Sequence, residues 1–143
     1  MRASQTAFRA LITVNAMLLL VQPVLIGLFR SGGDEAKLHA HEIVGSAVGA
    51  TGIFAVVASI LVWRIAKWPA TAVLWCILLL VAEVVQLSLG YDRHLGIHVP
   101  LGVLLAIAAS FLDLWVYKPH GRTFKPSEDP QFVDDVRGVL GLS

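Results

Sequence analysis

Four long apolar stretches, separated by turns of a few polar residues, constrain this chain more than any other feature. They run over about residues 8–29, 39–63, 69–89 and 94–117. A helix of about 20 apolar residues spans the hydrocarbon core of a bilayer. The chain is 57% hydrophobic and 15% charged, too apolar for a soluble domain with a single core. The expected fold class is all-α: an integral membrane four-helix bundle. Short connections make it up-down-up-down. Residues 1–117 form the bundle. Residues 118–143 form a tail, in which Asp129-Pro130 precedes an amphipathic helix over about 130–140.

The first stretch competes with a signal peptide. It is long for one, and Phe29-Arg30-Ser31-Gly32-Gly33 offers no small-x-small cleavage site. It reads as an uncleaved span in which Asn15, Gln22 and Pro23 face other helices. Basic residues set the orientation. Arg2, Arg9, Arg64, Lys67, Lys118, Arg122, Lys125 and Arg137 fall on one side, and Arg30, Lys37 and Arg93 on the other. The positive-inside rule then puts both termini in the cytoplasm of a multi-pass protein of the cell membrane. Trp63, Trp68, Trp115 and Tyr117 form an aromatic belt at the inner boundary.

Within this frame one motif occurs twice. His41 is followed four positions later by Gly45, and His98 by Gly102. Positions four apart share a helix face, so each imidazole stands above a residue without a side chain. Both motifs open their helices at the outer side. Shifting the first helix pair by 57 positions overlays them, which predicts a duplication with a pseudo-two-fold axis between the histidines. Gly45, Gly49 and Gly52 extend the first face as a small-residue stripe.

In an up-down-up-down bundle the second and fourth helices are diagonal, with axes roughly 11–14 Å apart. Two imidazoles on those helices can reach one iron. Two histidine ligands define a low-spin b-type haem suited to electron transfer. The cofactor-binding set is then His41, His98, Gly45 and Gly102, with one haem b. Arg30 and Arg93 are placed to meet its propionates, and Lys37 lies beside them. His39 and His94 are alternate ligands. Glu83, Gln86 and Gln22 lie deeper and form a candidate quinone or proton site. The plainer alternatives are polar caps for the histidines and interhelical hydrogen bonds for the three deeper residues.

Paired histidines followed by glycine in a four-helix bundle resemble the haem-b-binding bundles of the cytochrome b561 class and one half of haem A synthase. The resemblance covers residues 8–117 in architecture and four residues in motif: His41, Gly45, His98 and Gly102. It implies a membrane cytochrome. The b561 class carries a second histidine pair near the other face, and this chain has no histidine there; His120 lies in the tail. One haem at one side cannot by itself carry an electron across the membrane.

Other chemistry finds little purchase. Cys76 is the lone cysteine, so neither an intrachain disulfide nor a Cys-x-x-Cys pair exists. There is no phosphate-binding glycine loop, HExxH motif or ordered Ser-His-Asp set. The net charge of +1, without a basic aromatic stripe, gives no nucleic-acid partner. The chain reads as an electron-transfer protein rather than a stand-alone enzyme. Its expected partners are the bilayer, a quinone, and a larger membrane complex or a second copy. A cofactor-free accessory or assembly subunit is the second reading. A copper or zinc site from His39, His41, Glu42, His94 and His98 is the third.

Overall fold

A computed structural model describes residues 2–118, together with Arg137 and Val139. Four helices account for nearly all of it: α1 (Arg2–Arg30), α2 (Glu35–Ala66), α3 (Thr71–Tyr91) and α4 (Leu95–Val116). Each is long and apolar enough to cross a membrane. The protein is an all-α four-helix bundle of the multi-pass membrane type. The expected tail helix at 130–140 lies outside the described residues, apart from Arg137 and Val139, which are helical.

The helices are longer than the apolar stretches that announce them. α1 begins at Arg2, and α2 begins at Glu35 and takes in the polar Lys37. Backbone hydrogen bonding continues through polar residues once a helix is nucleated. His41 therefore sits in the second turn of α2 rather than at its head, while His98 is the fourth residue of α4.

Three tight turns join the spans. Lys67 closes α2 in the left-handed conformation (φ 57°), and Trp68 N–H returns to the Val62 carbonyl at 3.2 Å. Arg93 adopts a similar conformation (φ 55°) between α3 and α4, where His94 N–H reaches the Leu89 carbonyl at 2.9 Å. Such returns satisfy carbonyls that a helix end leaves free.

α1 packs on α2 and α4, and α3 packs on the same two helices. α2 and α4 are thus diagonal, as are α1 and α3. The α1–α2 and α3–α4 turns lie at one end, called here the histidine end. The α2–α3 turn and the start of α1 lie at the other, the tryptophan end.

A stripe of Phe8, Ile12, Asn15, Ala16 and Leu19 faces inward from α1, with half-buried Gln22 continuing it. Pro23 departs from expectation. It is exposed, on the rim of a shallow groove between α1 and α4. One residue past Gln22 is a rotation of about 100°, which takes it off the inward stripe. The outer surface is strongly apolar: Phe111, Leu114, Phe54 and Leu104 are all more than half exposed. Lipid is the solvent that suits such a coat.

Candidate functional site

The site at the histidine end is built from two similar halves. In the first, His41 on α2 lies against α1, and its Nδ1–H donates to the backbone carbonyl of Gln22 at 3.3 Å. In the second, His98 on α4 lies against α3, and its Nδ1–H donates to the backbone carbonyl of Gln86 at 2.9 Å. A carbonyl oxygen only accepts, so the proton in each bond belongs to Nδ1. The lone pair of each neutral ring is then on Nε2. Neither Nε2 makes a hydrogen bond among the described residues.

The two rings meet across the diagonal of the bundle. Their centroids are 6.3 Å apart and their planes are inclined at 75°. A metal–imidazole bond of about 2 Å on each side, with roughly 1 Å from nitrogen to ring centre, spans about 6 Å. The separation of the ring centres is therefore within what one metal atom bonded to both rings would require.

The glycines one turn along do not leave open faces, and here the structure differs from the sequence expectation. A methyl group at Gly45 would stand 3.1 Å from Gln22 Nε2, and one at Gly102 only 2.7 Å from Gln86 Nε2. Glutamine amides fill both notches. The physical reason is depth. Each glutamine is on the helix that receives the histidine's hydrogen bond, and its side chain reaches the next turn of the partner helix. Gln86 Nε2 also donates to the His98 backbone carbonyl at 2.9 Å, the interhelical bond weighed for it at the outset. The buried Oε1 atoms of Gln22 and Gln86 have no hydrogen-bond partner among the described residues. Both amides are the ends of flexible side chains.

Gly90 was not singled out in the sequence, yet it belongs to the site. A methyl group there would stand 2.8 Å from His98 Cε1. Gly49 does the reverse: nothing lies within 4 Å of a methyl group at that position. The stripe offers close approach at Gly45 and Gly52, not at all three glycines.

The other expected site residues separate. His39 is exposed and lies 3.7 Å from Glu42 in its own helix. His94 is exposed at the position preceding α4. Among the described residues no three His, Cys, Asp or Glu side chains converge on one point. Arg30, Lys37 and Arg93 are exposed at the histidine end, free of ion pairs among the described residues. Glu83 lies one turn deeper than Gln86 and is buried, as is Asn15 on the facing helix.

No family model matches the chain, and comparisons with curated proteins and with solved structures likewise give no match. The reading of the site therefore stands on its own geometry.

Proposed function

We propose that this protein is a membrane b-type cytochrome that holds one haem between His41 and His98 and exchanges electrons at the histidine end of the bundle. The observation that carries the reading is the pair of imidazoles from diagonal helices, each tied through Nδ1 to a neighbouring backbone, with ring centres 6.3 Å apart. A histidine placed on a helix by chance needs neither a diagonal counterpart nor a matching backbone anchor.

The donor set suits the group. When bound, haem supplies reversible one-electron chemistry at iron, and two imidazole ligands favour electron transfer over oxygen activation. His41 and His98 offer Nε2. The Gln22 and Gln86 carbonyls hold the rings in orientation and make them more basic ligands through the Nδ1–H bonds. To admit haem, the Gln22 and Gln86 side chains would turn out of the notches over Gly45 and Gly102; Gln86 would give up its Nε2 bond to the His98 carbonyl, while neither Oε1 atom has a partner among the described residues to lose. Arg30, Arg93 and Lys37 supply cations for the propionates.

The histidine end faces outward and both termini face the cytoplasm, because the tryptophan end carries most of the basic residues. With one haem on one side, donor and acceptor meet the protein at the same face. A quinol in the bilayer and a larger membrane complex are the partners that suit this arrangement.

Purified from haem-replete cells, the protein should show a Soret band, with split α and β bands on reduction. His41→Ala and His98→Ala should each abolish the bands, and His39→Ala should leave them. A colourless protein that stays colourless with added haemin contradicts the proposal.

A further inference from the structure

The centre of the bundle holds three buried oxygen atoms, two on Glu83 and one on Asn15, that make no hydrogen bond among the described residues. Glu83 on α3 is 4% exposed, and neither carboxyl oxygen has a hydrogen-bond partner among the described residues. Asn15 on α1 is 1% exposed, and its side chain bonds Thr51, the chain neighbour of the Gly52 against which the Glu83 carboxyl packs. The amide orientation of Asn15 is fixed by its other contacts. Nδ2 donates to the Val48 carbonyl at 3.2 Å and to Thr51 Oγ1 at 3.1 Å. Both amide protons are used, so Oδ1 is the atom left over, and it is buried without a partner. Gly52 on α2 makes the room: a methyl group there would collide with the Glu83 carboxyl.

The surroundings supply no countercharge. Asn15 faces Glu83 from α1, and Gly52 with its neighbour Thr51 from α2. Cys76, two turns along α3 beside Ser59, is the titratable neighbour. Among the described residues no cationic side chain of α1, α2 or α4 acts on the carboxyl. An unpaired carboxylate in such a place is costly, and two acceptors side by side cannot satisfy each other. One added proton resolves both problems, because a carboxylic acid is a donor as well as an acceptor.

We propose that Glu83 and Asn15 form a proton-binding site within the membrane span, in which the protonated Glu83 carboxyl donates its O–H to Asn15 Oδ1. The ligand is a proton, taken up by Glu83 and released from it. The site stands whether or not a metal lies between His41 and His98.

Infrared spectroscopy of the full chain in lipid at neutral pH tests this. The wild type should show a carboxylic-acid C=O stretch that moves on exchange into heavy water. Glu83→Gln keeps the shape and a donor toward Asn15, so it should fold and lose the band. Asp113→Asn should retain it. Asn15→Ala removes the acceptor and should move the band to higher frequency. A wild type without an acid band, a band that survives Glu83→Gln, or a band indifferent to Asn15→Ala would each overturn the proposal. So would a carboxylate band that responds to added sodium, which would mark a metal-cation site instead.

Discussion

At the tryptophan end, Arg9 donates from Nε to the Val116 carbonyl at 3.0 Å while its guanidinium lies over both Trp68 and Tyr117. Thr13 donates to Asp113 at 2.7 Å. Phe8, Trp68 and Trp115 meet edge to face over a core closed by Val62, Ala72 and Val116. Polar groups there find partners, and large rings fill the space. From mid-bundle to the histidine end the pattern reverses. The packing residues are smaller, chiefly Ala16, Val48, Ala106 and Ala109 with Leu19 and Leu105. Every buried side-chain acceptor without a partner among the described residues lies there, on Asn15, Gln22, Glu83 and Gln86. Protein interiors rarely leave such groups unserved, and exceptions call for a reason. One end of this bundle fastens the helices. The other leaves buried acceptors unserved.

Substitutions at the two ends should separate stability from binding. Trp68→Ala removes the ring that joins Phe8 to Trp115, and should cost about 3–5 kcal/mol of bundle stability. Thermal denaturation in detergent would show it, and His41→Ala in the same assay should cost no more than about 1 kcal/mol. Equal losses from the two would erase the distinction between the ends.

Gly102→Ala presses on Gln86 and should cost about 1–3 kcal/mol by overpacking, with weaker haem retention. Gly49→Ala meets nothing, and should stabilise α2 by up to about 1 kcal/mol through helix propensity. Thr13→Val breaks the bond to Asp113 and should cost about 1–2 kcal/mol without touching haem binding. The smallest effect belongs to Gln22→Met. It removes an unpartnered amide oxygen and should leave the stability of the haem-free protein unchanged or raise it by about 1 kcal/mol. A clear loss there would mean that Gln22 has a partner after all.

The four apolar stretches and the short turns made the bundle legible, including the diagonal placement of α2 and α4. His41 and His98 could be paired in advance because each carries a glycine four positions on. What filled those notches was not legible. His98 follows His41 by 57 positions, but Gln86 follows Gln22 by 64, so the shift that overlays the histidines misses the glutamines. The first hairpin is simply taller, about one turn on each of its helices. Contacts between helices depend on such heights, which hydropathy does not encode. Gly49 shows the same limit: it shares the stripe in sequence, yet a rotation of about 40° from Gly45 takes it away from any neighbour. Asn15 read as a packing residue until its hydrogen bonds showed which of its atoms was left over.

The central claim is that both imidazoles bind one iron. Electron paramagnetic resonance of the oxidised protein tests it most directly. The ring planes are inclined at 75°; if His41 and His98 held a ferric haem at that inclination, they would give a low-spin signal of large anisotropy. That signal should be present in the wild type and absent from both His41→Ala and His98→Ala. A high-spin signal in the wild type, or a low-spin signal that survives either substitution, would contradict it.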